Sequence, residues 1–176
     1  MLQKSSILKT LDVFFTYPTK SHYLMDIART TGIAHTSIKK NLKELVKEGI
    51  INEKKEKRGK RQFPIYNASL NTPFKKLKMI HNLEEVQEAA GFIEDKLAPR
   101  AIVLFGSYSR GEDVEDSDID IFVECKKEEL NLSLYEKNLK RKIELHFNDN
   151  FQNYPKELKN NIINGIVLRG YLEAYK

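Results

Sequence analysis

One stretch of the chain, Ala101 to Glu124, constrains the fold more than any other. The apolar run Ala101–Phe105 is rich in branched residues and predicts a buried strand. Gly106 and Ser107 end this strand, and a loop of acidic residues follows. Ser117–Val123 then alternates polar and apolar residues, which predicts a second strand with one face toward the core. The stretch therefore predicts two strands of one small sheet, connected through a Gly-Ser turn.

The alternation in the second strand places Asp118 and Asp120 on one face, with their Cα atoms about 7 Å apart. Ile119, Ile121 and Val123 then face the core. Two carboxylates so placed can chelate divalent cations, and oxygen ligands suit Mg²⁺. Two such ions about 3.5–4 Å apart can clamp the attacking and leaving oxygens of an in-line phosphoryl displacement. Asp118 and Asp120 are therefore the predicted metal ligands and catalytic carboxylates.

The Gly-Ser turn between the strands has the composition of a phosphate-binding site. Gly106 lets the backbone approach a phosphate closely, and Ser107 offers a hydroxyl and an amide at the start of a helical turn. Arg110 has two open interpretations, a contact with a nucleotide phosphate or a pair with a loop carboxylate. The remaining acidic residues of the loop are expected to solvate the turn: Glu112, Asp113, Glu115 and Asp116.

Gly106-Ser107, a gap of ten residues and then Asp118-Ile119-Asp120 resemble the signature of polymerase-β-like nucleotidyltransferases. The sequence is most similar to the minimal nucleotidyltransferases, which include proteins paired with toxins in prokaryotes, and the resemblance covers residues 83–176. It implies transfer of a nucleotidyl group from an NTP, with ATP expected, to a hydroxyl acceptor. It also implies one or two Mg²⁺ ions on the aspartates and a triphosphate at the turn.

A third strand is predicted at Ile143–Phe147, where Ile143, Leu145 and Phe147 face the core. Glu144 and His146 point the other way, toward the side of the aspartates. The resemblance implies a third carboxylate on this strand that activates the attacking hydroxyl, and Glu144 is the candidate. The alternative is an ordinary exposed strand residue, in which case nucleotide binding survives while catalysis weakens.

Charge is distributed unevenly along the chain. Residues 1–81 hold 17 Lys and Arg against 6 Asp and Glu, whereas residues 82–176 hold 13 against 19. This contrast suggests a nucleic-acid-binding module joined to a metal-binding one. The single cysteine excludes an internal disulfide, and no apolar run approaches the ~20 residues of a membrane span. We therefore expect a cytoplasmic protein that does not associate with membranes.

The basic half predicts three helices, at residues 7–16, 23–29 and 36–47, followed by a basic hairpin. This order resembles a winged helix-turn-helix domain of prokaryotic regulators over residues 4–68. The resemblance implies that the third helix and the hairpin contact duplex DNA, and that the protein forms a homodimer. The alternatives are a solvated hairpin tip and a protein-docking module. The expected DNA contacts are His35, Thr36, Ser37, Lys39, Lys40 and Lys43 on the helix, and Lys54, Lys55, Lys57, Arg58, Lys60 and Arg61 on the hairpin.

The predicted fold class is α+β, with a winged helix-turn-helix domain at residues 1–70 and a small mixed-sheet nucleotidyltransferase domain at residues 99–176. Connecting helices fill residues 71–98. Within them, Asn82 is expected to cap a helix, with Glu85 three residues on in a capping-box arrangement.

Three functions fit this organisation. The first is an enzyme whose acceptor is a small molecule, a partner protein or a tyrosine of a cognate toxin. The second is a DNA-binding regulator whose other domain only senses nucleotide or binds a partner protein. The third is an antitoxin-like component that represses its own operon and also modifies its toxin.

Overall fold

The computed structural model describes residues 5–173, which lie in two compact units, Met1–Lys75 and Lys76–Lys176. The architecture is α+β, as predicted. The elements of the first unit are α1 (Ser6–Thr16), α2 (Leu24–Thr31), α3 (His35–Lys47), β1 (Ile51–Arg58) and β2 (Arg61–Ala68). They occur in the order that the sequence predicts, three helices and then a hairpin. Among the helices of residues 5–173, none is both long enough and apolar enough to span a bilayer.

The core of the first unit joins the apolar faces of its three helices. Phe14, Ile27, Ile38 and Leu42 are fully buried there, as the helical spacing of these residues requires. The hydroxyl of Ser5 caps α1 by accepting a hydrogen bond from the backbone N–H of Leu8, which satisfies one of the unpaired donors of the first turn. Burial of one continuous apolar stripe from each helix therefore organises this unit.

The hairpin of the first unit has a two-residue turn, since Arg58 pairs with Arg61 across it. The Glu56 carboxylate accepts a hydrogen bond from the Arg58 Nε at 2.6 Å, and the Arg58 guanidinium lies 4.6 Å from the centre of the Tyr23 ring. The Tyr23 hydroxyl bonds with both side chains. These contacts thus connect the hairpin to the start of α2.

The second unit is built on a four-stranded mixed sheet in the order β5-β4-β3-β6. Its strands are β3 (Ala101–Phe105), β4 (Ile119–Val123), β5 (Ile143–Phe147) and β6 (Ile166–Gly170). Its helices are α4 (Thr72–Glu85), which spans the boundary between the units, α5 (Gln87–Leu97), α6 (Gly106–Ser109), α7 (Ser133–Leu139) and α8 (Lys156–Ile163). β4 and β5 are parallel, and the other pairs are antiparallel. Helix α7 lies in the crossover connection that a parallel pair requires.

The two faces of this sheet have separate cores. Ile119, Ile121 and Val123 of β4 pack in the cluster that contains Ile93 of α5, as the alternation predicts. The opposite face carries a smaller cluster of Val103, Phe105 and Phe122 with Phe151 and Ile162. Because side chains alternate along β4, Asp120 belongs to this second face.

Asn82 does not cap a helix, contrary to the expectation from sequence. It lies inside α4, which continues to Glu85 before α5 begins at Gln87. Its buried side-chain amide donates hydrogen bonds to the Tyr108 carbonyl oxygen at 2.9 Å and to Asp113 Oδ1 at 2.8 Å. The capping pattern is local, whereas these partners lie about 30 residues away and become visible only in the folded chain.

Asp113 does not solvate the loop, again contrary to the expectation. It is 2% exposed, and its Oδ2 atom lies 3.0 Å from the Lys78 Nζ atom and 3.7 Å from the Arg141 Nη2 atom. The Lys78 ammonium also donates to the Asp113 carbonyl oxygen. Burial lowers the pKa of Lys78, and the Asp113 carboxylate opposes that effect. Asp113 therefore connects α4 and the start of β5 with the loop that precedes β4.

Replacing Asp113 with Ala should destabilise the second unit strongly. Two buried cations, Lys78 and Arg141, would lose their carboxylate, and breaking a buried ion pair costs about 3–5 kcal/mol. Urea unfolding followed by circular dichroism measures the loss. The control is Asp116→Asn, an exposed residue of the same loop, which should change stability by less than about 0.5 kcal/mol. Equal effects of the two substitutions would contradict the structural role of Asp113.

Candidate active site

The parallel pairing of β4 and β5 brings together three side chains that could bind a cation. Asp120 is the direct partner of Glu144, and Phe122 is the partner of His146. Because Glu144 and His146 alternate with core residues, both project on the face that carries Asp120. One ligand atom from each of Asp120, Glu144 and His146 lies within 4.8 Å of the other two.

The Asp120 carboxylate lies directly against the Gly-Ser turn. Phe105, the last residue of β3, pairs with Asp120, so that Gly106 follows immediately beside it. Gly106 has φ +74°, a left-handed conformation that favours glycine. A Cβ atom at this position would overlap Asp120 Oδ2 and lie 3.1 Å from the Cγ atom. Position 106 therefore requires glycine for two reasons, the backbone angle and the space that the Asp120 carboxylate occupies.

His146 is the member of this cluster that the predicted site lacks. Its Nε2 atom lies 3.3 Å from Asp120 Oδ1 and 3.9 Å from Glu144 Oε1, and its ring packs edge-on against Phe105. The hydrogen bond with Asp120 raises the pKa of His146, burial opposes the rise and the charge of Glu144 adds to it. The alternation of the third strand already placed His146 on the side of the aspartates, which was the available signal.

The cluster opens to solvent on the Glu144 side. The side chain of Glu144 is 60% exposed, against 27% for Asp120 and 19% for His146. The edge position of β5 in the sheet explains this gradient. A substrate can therefore reach Glu144 while Asp120 stays held between the turn and the imidazole.

Asp118 lies outside the group of three. It precedes the first residue of β4, so the pleat of the strand does not set the direction of its side chain. Asp118 is exposed and lines a cavity of about 560 Å³. The other residues around this cavity are Glu115, Asp116, Ser117, Glu136, Lys140, Arg141 and Lys142. The structure thus brings Asp120 and Glu144 together and places Asp118 outside their group, in an open cavity.

Ser107 lies on the single helical turn α6, and Arg110 follows directly after it. The Arg110 Nε donates to Glu112 Oε2 at 3.0 Å in a largely exposed pair, the loop-carboxylate alternative of the two interpretations. The Ser107 carbonyl oxygen accepts the backbone N–H groups of Arg110 and Glu112. These bonds hold the turn closed around Gly106 and Ser107.

The predicted DNA contacts of the first unit lie on its surface. On α3, five of the six residues are exposed and Ser37 is half-buried, and all six hairpin residues are exposed. Arg58 differs from the others because it forms an ion pair with Glu56. The remaining hairpin cations are Lys54, Lys55, Lys57, Lys60 and Arg61.

The site's donor set fits a divalent cation. Asp120 and Glu144 provide carboxylate oxygens, which are ligands that Mg²⁺ prefers. His146 could act as a further ligand, but its hydrogen bond to Asp120 Oδ1 also suits the role of an orienting partner, as carboxylate ligands commonly have. Clustered carboxylates repel one another unless a cation is close, so this arrangement favours cation binding.

Comparison with known proteins identifies the second unit in general terms. Residues 87–171 match the protein family described as "Polymerase beta, Nucleotidyltransferase". The chain is 43% identical over 49 residues to a Methanocaldococcus jannaschii protein named "Putative protein adenylyltransferase MJ1379". That alignment covers 27% of this chain and 49% of the relative, so the chain spans about half the length of the curated relative. Residues 87–171 of the second unit are therefore similar to the nucleotidyltransferases of this family.

One solved structure is also similar, a "Possible transcriptional regulator" from Methanosarcina mazei Go1. It is 9% identical, with a TM-score of 0.39, and the match covers 53% of this chain and 79% of that one. A TM-score below 0.5 carries no argument about fold or function.

The contact between Gly106 and Asp120 predicts a strong effect of Gly106→Ala. The new methyl group would add about 1–3 kcal/mol of backbone strain and would displace the carboxylate as well. The matched control is Gly91→Ala in α5, where the added Cβ lies 3.9 Å from Arg169 and alanine favours the helix. Thermal unfolding should show a lower Tm for the first variant and an unchanged or higher Tm for the second. A Gly106→Ala protein as stable as the control would contradict the packing described for the turn.

Proposed function

We propose that the second unit is a Mg²⁺-dependent enzyme that moves a nucleotidyl group from an NTP, ATP being the expected donor, to a hydroxyl acceptor. The observation that carries this proposal is the Asp120 carboxylate, seated against Gly106 and next to Glu144. This arrangement joins a turn that admits phosphate to one carboxylate that can hold a cation and a second that is open to the acceptor. The family match over residues 87–171 supports the same reaction class.

Each residue has a distinct role in this proposal. Asp120 and Asp118 hold the cation, of which two are possible, and His146 orients Asp120 through the 3.3 Å hydrogen bond. When bound, Mg²⁺ supplies positive charge that stabilises the phosphate oxygens during transfer. The backbone at Gly106 and the hydroxyl of Ser107 bind the phosphates. Arg110 also binds a phosphate after it releases Glu112, since the ion pair between these two side chains is exposed and weak.

Glu144 is the proposed general base, because it is the most exposed carboxylate of the cluster. It accepts the proton of the acceptor hydroxyl while that oxygen bonds to the α-phosphorus of the NTP. The bond from the α-phosphorus to the bridging oxygen breaks, and pyrophosphate leaves. Most of the rate enhancement would come from holding these groups in line.

The acceptor that we propose is a protein hydroxyl, such as a tyrosine of a cognate toxin. The name of the curated relative, "Putative protein adenylyltransferase MJ1379", supports a protein acceptor and ATP as donor. The exposed position of Glu144 also suits an acceptor as large as a protein, because it leaves the base accessible.

Asp120→Asn should abolish labelling of an acceptor and weaken Mg²⁺-dependent ATP binding without unfolding the protein. The substitution removes a ligand charge, but the amide keeps the shape that fits against Gly106. The assay incubates the protein with labelled ATP, GTP, CTP or UTP, with and without the products of neighbouring genes. Glu144→Gln should lower the rate about 10²–10⁴-fold with little loss of ATP binding, the usual contribution of a general base.

Asp95→Asn is the matched control, since Asp95 is an exposed carboxylate on α5 outside the cluster. It should leave both labelling and ATP affinity unchanged. Equal ATP affinity of wild type and Asp120→Asn, measured by calorimetry with Mg²⁺, would count against the cation site.

We further propose that the first unit binds duplex DNA as a winged helix-turn-helix domain. The support is the order of its elements together with the exposure of the cations on α3 and the hairpin. In this proposal the protein is a homodimer that recognises an inverted repeat, and the whole chain is an antitoxin-like repressor as well as an enzyme. A regulator whose second unit only senses nucleotide is the alternative, which an absence of labelling activity in the wild type would favour.

Replacing Lys57, Lys60 and Arg61 with Ala should weaken binding to all duplex sequences. Neutralising a phosphate releases counterions, so the log–log slope of affinity against salt should flatten by about 0.9 for each phosphate that the variant leaves without its cation. Mobility shifts on the protein's own upstream region, across a salt series, measure both effects. Arg58 is left unchanged because Glu56 already pairs with it.

The control removes the same number of charges from the second unit by replacing Lys126, Lys127 and Lys137, all of them exposed, with Ala. It should leave the affinity for DNA and the salt slope close to those of the wild type. Absence of duplex binding by the wild type at low salt would assign the first unit to protein docking instead.

A further inference from the structure

We infer that Lys142 is a phosphate-binding residue of the nucleotide site, contacting the triphosphate of the donor from the cavity beside Asp118. The inference rests on the proposed function, because it names a further residue of the same site. Lys142 forms no part of the Gly-Ser and D-x-D signature, and its role emerges from strand register and from the charges around one cavity.

Strand register places Lys142 next to Asp118. Ile119 and Ile143 are the first partners of the parallel pair β4–β5. The residues just before them, Asp118 and Lys142, therefore lie side by side where the two strands begin. A backbone hydrogen bond of 2.8 Å, from the Ile119 N–H to the Lys142 carbonyl oxygen, anchors this arrangement.

The Gly-Ser turn lies on the opposite side of the same carboxylates. Gly106 follows the β3 residue that pairs with Asp120, whereas Lys142 precedes β5 on the other side of β4. Neighbouring strands are about 4.8 Å apart, so two strand spacings, or about 10 Å, separate the turn from the lysine backbone. A triphosphate held at the turn would extend across Asp118 and Asp120 toward Lys142.

The cavity side chains differ in how far their charges are already engaged. Glu136 Oε1 accepts the Ile143 N–H at 3.0 Å, and Ser117 Oγ accepts the Val114 N–H at 2.9 Å. Arg141 is buried beside Asp113. Within the described part of the chain, by contrast, the exposed Lys142 ammonium makes no ion pair or side-chain hydrogen bond. Lys140, the third cation of the cavity, already takes part in another interaction. Lys142 is therefore the cavity cation best placed to meet a ligand.

The negative charges around the nucleotide site favour an additional cation near the phosphates. Asp118, Asp120 and Glu144 would repel the negative charges of a triphosphate, and a bound divalent cation offsets only part of that repulsion. Lysine is a compact charge on a flexible four-carbon arm, which suits contact with phosphate oxygens. Lys142 can reach the phosphates without displacing any interaction that the fold uses.

The test compares Lys142→Met with Lys142→Arg and with Lys137→Met, an exposed lysine of α7 that does not line the cavity. Competition against a fluorescent ATP analogue, with and without Mg²⁺, gives affinities for ATP, ADP and AMP. Lys142→Met should weaken ATP binding about 10-fold or more, the value of one charge-assisted contact. The loss should shrink from ATP to AMP, and Lys142→Arg should retain most of the affinity. Lys137→Met should behave as wild type.

Three other results would overturn the inference. If Lys142→Met binds ATP as tightly as Lys137→Met, the lysine does not contact the phosphates, while the proposed enzyme stands. If Lys142→Met weakens ATP and AMP equally and lowers the Tm, the lysine acts in stability, as a cross-strand partner of Asp118. If the wild type binds no ATP and Asp120→Asn is indistinguishable from it, the proposed nucleotide site itself fails.

Discussion

The candidate site depends on the parallel pairing of β4 with β5. This pairing sets Asp120 opposite Glu144 and Phe122 opposite His146, although the partners lie 24 residues apart in the chain. Because side chains alternate with a period of two, a slip by one residue would turn Glu144 and His146 to the opposite face. The apolar residues of β5 resist such a slip, since Ile143, Leu145 and Phe147 would lose their packing against the core.

A second constraint is electrostatic and lies behind the site. Asp113, nearly inaccessible to solvent, holds Lys78 of α4 and the buried Arg141 that precedes β5. Removing such charges from water is costly, so the pair persists only with good geometry and further hydrogen bonds, one of which Asn82 donates. The same contacts hold the loops before β4 and β5, from which Asp118 and Lys142 project. The buried ion pairs of Asp113 thereby position the loops that carry the exposed Asp118 and Lys142.

The two units have opposite electrostatic requirements. The first carries exposed cations on α3 and on the hairpin, a surface suited to a polyanion whose binding weakens with salt. The second gathers carboxylates on one face of its sheet, an arrangement that favours a cation and repels a phosphate in its absence. Each unit also has an ion pair within its own fold. The pair of Glu56 with Arg58 lies at the surface of the first unit, and the pair of Asp113 with Lys78 is buried in the second. Charge in this protein is therefore partly structural and partly available for ligands.

Local patterns in the sequence determined the elements and much of the site. Helical spacing predicted the three helices of the first unit, and strict alternation predicted which residues of β4 and β5 face the core. The same alternation placed Asp120 and Glu144 on one side, because side-chain direction along a strand is a local property. Only the tertiary structure decided which distant groups meet. Asn82 and Asp113 follow patterns of a helix cap and a solvated loop, yet both are buried with partners about 30 residues away. The meeting of His146 with Asp120, and of Lys142 with the cavity of Asp118, likewise depends on strand order and register, which no local pattern encodes.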